Sequence, residues 1–428
     1  MNLPTYPASS EKPLRECLVC KEGQGVCNGE TVEFHTPCAR EAFIRCAPIT
    51  LSGSPREQAE KFYGCLPWLL HRVGAEMRNV VLERVFFRDV QADFDVFAET
   101  RKEAYASVEI GEDEMPAASY IEQPPCRPDQ AFELQLYVIV PKDNTRVRIE
   151  SFPATEGGAM TKVVDIEGYK HLYITNINGM NGDGKPKPFR KQSDVMFEAG
   201  ARLLQQHGTD FRKVLRTWCY LDDIDRDYAE FNLSRNVFFE HEHVKRLPAS
   251  TGIRSGLHPQ GTLCAFDMYA LLNPEGAEVE VMHTPTLNEA DEYGSAFSRG
   301  MKVALPDKTT LFISGTASID EAGETVHLDD VRKQVERMLL NVKELLTHQG
   351  ATFADVAQII TYLKSSSYID LFQKIWDEWG LTGLPNTFVE AGVCRPELLC
   401  ELEAIAILPM GPDGVVVSKS IQTESTSE

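Results

Sequence analysis

The sequence has few basic residues and no long apolar segment. Of its 428 residues, 43 are Lys or Arg and 64 are Asp or Glu, giving a net charge of −21 at pH 7. Nucleic-acid binding depends on clustered Lys and Arg side chains that contact phosphates, so this charge argues against a nucleic-acid partner. No apolar run approaches the roughly 20 residues that cross a bilayer. The start of the chain also lacks a secretory pattern. We therefore expect a soluble, cytoplasmic protein with no membrane partner.

The cysteines do not form a disulfide framework. There are eleven, an odd number, and several lie inside apolar runs, including Cys65, Cys219 and Cys264. Apolar neighbours in sequence and irregular spacing predict that most of these cysteines are buried free thiols in a reducing compartment.

One group of residues has the spacing of zinc ligands, namely Cys17, Cys20, His35 and Cys38. The segment "EFHTP" at 33–37 recurs as "VMHTP" at 281–285, where no Cys pair precedes it. This recurrence favours a structural role for the segment, and we predict no metal and no other cofactor.

A unit of strands and helices recurs three times along the chain. Each copy opens with a short apolar strand: 42–49, 172–180 and 311–319. An amphipathic helix follows and ends at a glycine (Gly74, Gly208 or Gly350), which suits the left-handed residue beyond a helix. A strand, a second helix, a Pro-marked loop and an alternating strand complete the copy. From the first strand to the Pro of the loop the separation is nearly constant: Ile44 to Pro128, Ile174 to Pro259, Ile313 to Pro396.

This repetition predicts an α+β protein of three tandem domains, each a sheet with two helices on one face. We place the domains at 1–142, 143–274 and 275–410. The remaining residues, 411–428, are polar and lack helical periodicity, which predicts a disordered tail.

The repeated unit resembles the RidA/YjgF family. The residues that carry the resemblance are the strand "ISGTASI" (313–319), the helix ending in Gly, and the final strand "PELLCELEAIAI" (396–407). The resemblance implies a chorismate-mutase-like fold and a trimer with a pocket between neighbours. Three copies in one chain imply an internal pseudo-trimer, with a central β-barrel and outer helices, that acts as a monomer.

The best-known chemistry of that family, hydrolysis of enamines and imines, uses an Arg that clamps the substrate carboxylate in a Pro-Ala-Arg-Ser type segment. The corresponding segments here are "PAAS" (116–119), "PAST" (248–251) and "PNTF" (385–388). Because none of them contains Arg, we do not expect imine hydrolysis.

The second and third copies resemble the chorismatases, which cleave chorismate. The resemblance rests on "RTWCYLDDI" (216–224), "FNLSR" (231–235), "LPASTGI" (247–253), "ISGTASI" (313–319) and "VCRPELLCELEA" (393–404). It implies that Glu401 is the catalytic Glu. It also implies that the small Gly315 and Cys394 direct the reaction to 3-hydroxybenzoate and pyruvate, whereas bulkier residues give a dihydroxycyclohexadiene acid. The first copy departs from that family, because it is an extra N-terminal repeat or a much clearer one than the family normally shows.

Cleavage of an enolpyruvyl ether needs a proton delivered to the terminal methylene carbon, so a general acid must stay protonated near neutral pH. Glu401 has apolar neighbours in sequence, and burial raises the pKa of a carboxyl. Glu403 lies on the same strand face as Glu401, so either both line the pocket or one is structural.

An anionic carboxylate substrate also needs cationic partners. Arg216, Arg254 and Arg395 are the candidates, and Arg216 is favoured because its strand is otherwise apolar and a buried guanidinium without an anion is costly. Tyr220 lies on the same strand as Arg216, and either binds substrate or packs in the core. Thr251 completes the candidate substrate-binding residues.

The stretch beginning at Cys394 has a counterpart in the first copy: Cys126, Arg127 and Glu133 match Cys394, Arg395 and Glu401. In the second copy we expect Cys264 at the position of the Glu. Whether a second functional pocket involves the first copy is a question that the sequence leaves open.

Two other functions remain possible on the sequence alone. One is a RidA-like enzyme of another biosynthetic step, with Cys394 or Cys126 as nucleophile or proton shuttle. The other is a non-catalytic protein that binds a small molecule.

Overall fold

The chain folds into three α+β units, each with one main sheet and two helices. The structure is a computed structural model that describes residues 14–19, 27–48, 53–153, 158–180, 187–288 and 296–409. Among these residues, no helix is long and apolar enough to cross a membrane.

The units repeat one order of elements. Unit 1 contains β1 (Leu14–Val19), β2 (Cys27–His35), β3 (Ala39–Pro48), α1 (Pro55–Arg72), β4 (Val80–Phe87), α2 (Val90–Ala106), β5 (Ala117–Glu122) and β6 (Phe132–Pro141). Unit 2 contains β7 (Val147–Phe152), β8 (Met160–Ile166), β9 (Tyr169–Asn178), α3 (Phe189–Gln206), β10 (Val214–Leu221), α4 (Ile224–His241), β11 (Ala249–Arg254), β12 (Gly256–Leu257) and β13 (Cys264–Leu271). Unit 3 contains β14 (Glu278–Val281), β15 (Gly300–Ala304), β16 (Lys308–Ala317), α5 (Val331–Thr347), β17 (Val356–Leu363), α6 (Ile369–Glu378), β18 (Asn386–Glu390) and β19 (Cys400–Pro409).

Each sheet places the last long strand of its unit at the centre. The strand orders are β1-β2-β3-β6-β4-β5-β12, then β11-β10-β13-β9-β8-β7, then β14-β15-β16-β19-β17-β18. In every unit the central strand pairs antiparallel with both neighbours, and the two strands that flank the second helix pair in parallel. The short β12 leaves unit 2 and joins the sheet of unit 1.

The sequence determines where the helices begin and end. Ser54 and Glu57 form a reciprocal capping box at the start of α1. Asp side chains cap α2, α4 and α5 by accepting a backbone N–H of the first turn. Gly74, Gly208 and Gly350 have φ of +61°, +69° and +73°. The prediction that these three glycines take the left-handed conformation beyond their helices is therefore confirmed.

The three units close into a ring around a shared core. Strand β5 packs on β9, β11 packs on β16, and β17 packs on β3, so each unit contacts the next. The core on the axis contains side chains from all three units, for example Phe43, Val164 and Ile407. These contacts and the three sheets confirm the predicted α+β fold of three tandem units.

Two expectations fall outside the residues that the structure describes. Cys20 is not described and the side chain of Cys17 is not described, so the zinc spacing is untested; Cys38 is a buried free thiol. The tail at 411–428 also lies outside the described residues.

Candidate active site

A cavity of about 410 Å³ lies between α4 of unit 2 and the strands β16 and β19 of unit 3. Its walls combine an acidic side chain, three arginines and apolar groups. The lining residues include Tyr228, Arg235, Phe297, Arg299, Gly315, Ile319, Cys394, Arg395, Leu398 and Glu401.

Glu401 is the acidic residue of this cavity. It lies in β19, where it pairs in register with Ala317 on one side and Tyr362 on the other. Its side chain is buried and forms no hydrogen bond or ion pair with any other described residue. Burial, and then the charge of Glu403, raise the pKa of Glu401 to about 8, although Arg216 and Arg299 lower it. A carboxyl in this state carries its proton at neutral pH.

Gly315 provides the space that the Glu401 carboxyl occupies. A Cβ atom built at Gly315 would lie 1.9 Å from Oε1 of Glu401 and 3.1 Å from Cγ2 of Thr251. The backbone N–H of Gly315 donates to Oγ1 of Thr251 at 3.0 Å. A residue without a side chain is therefore required at this position if Glu401 is to keep its orientation.

Three arginines surround the same cavity. Arg235 of α4 is buried; its Nη2 donates to Oδ1 of Asn232 at 2.7 Å, and its Nε has no hydrogen-bond partner within the described part of the chain. Arg299 donates from Nε and Nη2 to the backbone and side-chain oxygens of Asn288, at 2.8 and 2.9 Å. Arg395 donates to the carbonyl of Gly323 at 2.8 Å. These contacts fix three positive charges around Glu401.

Cys394 lines the cavity beside Glu401. Burial, and then the charge of Glu401, raise the pKa of the Cys394 thiol to about 12. The side chain is therefore a neutral thiol at physiological pH, and a thiol is a much weaker nucleophile than a thiolate.

Glu403 and Arg216 form a buried ion pair behind the cavity. Arg216 is 2% exposed, and its Nη2 donates to Oε2 of Glu403 at 2.8 Å and to Oγ1 of Thr251 at 2.6 Å. The indole N–H of Trp218 donates to the other oxygen of Glu403 at 2.8 Å. The sequence left open whether Glu403 lines the pocket or has a structural role. The structure shows a carboxylate that is hydrogen-bonded to Arg216 and Trp218.

The structure brings only part of the predicted site together. Glu401, Cys394, Gly315 and Arg395 line the cavity, and Thr251 contacts Gly315 from behind it. Arg216, Tyr220 and Arg254 are not among the residues that line it. Their roles as substrate ligands stay predictions.

All three of those residues have other partners, and Arg216 holds Glu403 as described above. The Tyr220 hydroxyl donates to Asp267 at 3.0 Å, and Asp267 also accepts from Ser119 of unit 1 at 2.5 Å. The exposed Arg254 donates to the carbonyl of Asp222 at 3.3 Å.

Arg235 and Arg299 were not predicted from the sequence. A signal for Arg235 existed, because the "FNLSR" segment places an arginine four residues after Phe231, on the face of α4 that packs inward. Arg299 precedes a short strand, and nothing in its local pattern distinguishes it from a surface arginine.

Equivalent cavities lie at the other two junctions. The last residues of β4, β10 and β17 correspond, so Glu401 has Glu133 as its counterpart in unit 1 and Ala265 in unit 2. The prediction of Cys264 at that position was wrong by one residue, because Cys264 lies opposite Leu221.

The environments of these counterparts differ from that of Glu401. Between units 3 and 1 lies a cavity of about 390 Å³, in which Nε of Arg45 donates to Glu133 at 2.5 Å. Between units 1 and 2 lies a cavity of about 940 Å³, where Phe94 stacks on His258 with ring centroids 3.8 Å apart. Of the two counterparts, Glu133 is ion-paired and Ala265 has no carboxyl. Within the described parts of the chain, the pattern of an unpaired Glu inside a ring of arginines is therefore found at the Glu401 cavity.

Comparison with known proteins places the chain in a family. Residues 294–408 match a family model described as endoribonuclease L-PSP. A RutC family protein of Pyrococcus abyssi is 30% identical over 112 residues, which are 26% of this chain and 84% of that protein. The chain belongs to the RutC (RidA/YjgF) family. The family resemblance inferred from the sequence motifs is thereby confirmed.

Two further similarities concern a larger part of the chain. A protein of Streptomyces hygroscopicus named 3-hydroxybenzoate synthase is 28% identical over 241 residues, which are 50% of this chain and 67% of that protein. A crystal structure of a chorismatase superposes with a TM-score of 0.54 at 18% identity, covering 77% of this chain and 93% of the other. At this identity, the structural likeness shows a shared fold.

Proposed function

We propose that this protein is an enzyme that cleaves the enolpyruvyl ether of chorismate, with 3-hydroxybenzoate and pyruvate as products. The observation that carries the proposal is Glu401, a buried carboxyl with a raised pKa that forms no hydrogen bond or ion pair with other described residues and faces a cavity lined by three arginines. The similarity to a 3-hydroxybenzoate synthase and to a chorismatase supports the choice of substrate.

Glu401 supplies the proton of the difficult step. Protonation of the terminal methylene of the enolpyruvyl group leaves an oxocarbenium-like carbon next to the ether oxygen. A general acid for this step must be protonated at neutral pH, and the environment of Glu401 provides that state without a partner among the described residues that would hold the proton.

The arginines match the two carboxylates of chorismate. Arg235 and Arg299 reach the cavity from opposite elements, α4 and the segment before β15, and Arg395 enters from the loop before β19. An arginine binds a carboxylate through two parallel N–H donors, which orients the substrate as well as holding it. Arg216 is committed to Glu403, so its earlier assignment as a clamp requires that this ion pair open.

The reaction balances without an added reactant. The hydroxyl on the neighbouring ring carbon attacks the oxocarbenium carbon and releases its proton, which gives a cyclic ketal. The bond from that oxygen to the ring carbon and the original ether bond at the ketal carbon then break. Pyruvate leaves with the hydroxyl oxygen as its ketone oxygen, and the ether oxygen stays on the ring and takes up a proton to become the phenol. The proton lost as the ring becomes aromatic balances the proton delivered by Glu401. The competing dihydroxycyclohexadiene acid requires one water instead. The neutral Cys394 thiol and the small Gly315 lie beside Glu401, where they shape the space in which water or the internal hydroxyl reacts.

The proposal is tested by incubating the protein with chorismate in D₂O and identifying the products by chromatography and mass spectrometry. Pyruvate is trapped at once by enzymatic reduction to lactate, so that its methyl group does not exchange. We expect 3-hydroxybenzoate and a methyl group with one deuterium, because the proton on Glu401 exchanges with solvent. No consumption of chorismate, or pyruvate without deuterium, would overturn the proposal. A thermal-shift screen of small metabolites would then examine a binding function.

A further inference from the structure

The cavity between units 3 and 1 has the position of the candidate active site but a different chemistry. It lies between α6 and the strands of unit 1, and Glu133 occupies the register position of Glu401. Nε of Arg45 donates to Oε1 of Glu133 at 2.5 Å, and Nε2 of Gln130 donates to Oε2 at 2.9 Å. Both oxygens of Glu133 are therefore occupied, and this carboxylate is not placed to act as a general acid.

The charged side chains of this cavity nearly balance, with Arg45 and Arg127 facing Glu30, Glu133 and Asp377. Arg45 lies between two carboxylates, since its Nη1 is 3.6 Å from Glu30 in addition to the contact with Glu133. The cavity that contains Glu401 has three arginines around one carboxyl that is protonated at neutral pH. An anion is therefore favoured in the Glu401 cavity and disfavoured here.

Asn386 is the feature of this cavity that has no explanation in the packing. It is the first residue of β18, and the residue is 2% exposed. Neither Oδ1 nor Nδ2 has a hydrogen-bond partner among the residues that the structure describes. A buried amide normally bonds through both atoms, because leaving them unpaired carries the full cost of desolvation.

The backbone around Asn386 is fixed. Oγ1 of Thr387 accepts from Gln135 at 3.0 Å, and the carbonyl of Phe388 accepts from the N–H of Cys126 at 3.1 Å. The amide is thus presented to the cavity by a strand that is bonded to unit 1. Trp376, which is 5% exposed, and Phe388 supply aromatic surface in the same wall.

We propose that this cavity binds an uncharged planar molecule with a carboxamide or lactam edge. The C=O of the ligand accepts from Nδ2 of Asn386 and its N–H donates to Oδ1, so that both atoms of the buried amide are satisfied at once. The aromatic surface of Trp376 and Phe388 packs against the planar body. The inference concerns binding without a reaction, and it is independent of the function proposed for the Glu401 cavity.

Benzamide is a suitable probe, because it combines a flat ring with a carboxamide edge and carries no charge. Its affinity is measured by titration calorimetry for the wild type, Asn386→Ala and Glu401→Gln. We expect benzamide to bind the wild type and Glu401→Gln equally, and to bind Asn386→Ala at least tenfold more weakly, since two hydrogen bonds are lost. No saturable binding to the wild type, or equal affinity for Asn386→Ala, would overturn the proposal.

A second variant separates loss of the site from loss of the fold. Asn386→Asp replaces the amide by a carboxylate of the same shape, which pairs with an amidinium through two charge-assisted bonds. We expect this variant to bind benzamidine more tightly than the wild type does, and benzamide more weakly. A folded Asn386→Asp protein that gains no affinity for benzamidine would show that the amide does not contact the ligand.

Discussion

A Cβ atom at Gly315 would lie 1.9 Å from Oε1 of Glu401, so the carboxyl fills the space that any side chain at position 315 would need. The two residues come from neighbouring strands of the sheet of unit 3, β16 and β19, and both line the same cavity. The orientation of the proposed acid therefore depends on the absence of a side chain at Gly315.

Gly315→Ala should lower turnover while the protein stays folded. The Glu401 carboxyl is the end of a flexible side chain and can rotate away, but it then leaves the reacting carbon, and a misplacement of about 1 Å can cost about 10²-fold in rate. The measurement is kcat with chorismate together with the melting temperature.

Gly252→Ala is the matched control for that variant. It adds a methyl group to the same cavity. The new Cβ would lie 3.4 Å from its nearest atom, Cε2 of Tyr228, which is an ordinary van der Waals distance. Equal losses in the two variants would show that crowding of the cavity, and not the position of Glu401, limits the rate.

The rate should fall as the pH rises through about 8, the pKa to which burial and Glu403 raise Glu401. Because only the protonated carboxyl donates, kcat should decrease about tenfold per pH unit above that value. The pH–rate profile of the wild type is the measurement, and a rate that stays constant up to pH 10 would contradict the assignment.

The same pKa affects stability in a defined direction. Glu401 holds its proton more tightly in the folded state than in the unfolded state, so its contribution to stability is present at acidic pH and is lost as the pH rises from about 4.5 towards 8. Glu401→Gln removes this dependence. Its free energy of unfolding should therefore exceed that of the wild type at pH 9 and approach it at pH 5, as measured by urea unfolding.

Arg216 and Arg299 should respond differently to substitution. Arg216→Met leaves Glu403 buried with one cation instead of two, Arg84 at 3.5 Å, and should lower the free energy of unfolding by up to about 3–5 kcal/mol. Arg299→Gln should mainly raise KM for chorismate. If Arg216→Met stays as stable as the wild type and raises KM instead, Arg216 is the clamp that the sequence suggested.

Cys394→Ala should change the product more than the rate. The thiol is neutral because burial raises its pKa to about 12, so it acts through its size and polarity beside Glu401 and not as a nucleophile. We expect turnover to persist and the ratio of 3-hydroxybenzoate to dihydroxycyclohexadiene acid to change, as measured by chromatography. Complete loss of activity in a folded protein would assign Cys394 a chemical role.

The repeat made much of the fold predictable. The first strand, both helices and the last strand of each unit follow from apolar periodicity and from the glycines at 74, 208 and 350, because these signals are local. The strand pairs β1–β2, β7–β8 and β14–β15 were not predicted. They precede the recognisable core of each unit, and their sequences vary between copies, so no repeated pattern marked them.

Within the candidate site, the residues predicted from the sequence lie in the motifs that resemble the chorismatases. Glu401, Gly315 and Cys394 lie within the motifs of unit 3. Arg235 reaches the cavity from unit 2, and the placement of a residue across a junction between units depends on tertiary packing that local patterns do not encode. Arg216 shows the reverse case: its buried guanidinium does need an anion, and in this structure Glu403 of the protein itself supplies it.

The central claim is that Glu401 delivers the proton, and the most direct test compares pyruvate release from chorismate by Glu401→Gln and Glu133→Gln. Glutamine keeps the shape of the side chain and removes the transferable proton, so Glu401→Gln should lose at least about 10²–10⁴-fold in kcat while folding is retained. Glu133→Gln changes the equivalent residue of unit 1, which is ion-paired with Arg45, and should stay near the wild-type rate. Loss of activity in Glu133→Gln with full activity in Glu401→Gln would contradict the account and move the reaction to the cavity between units 3 and 1.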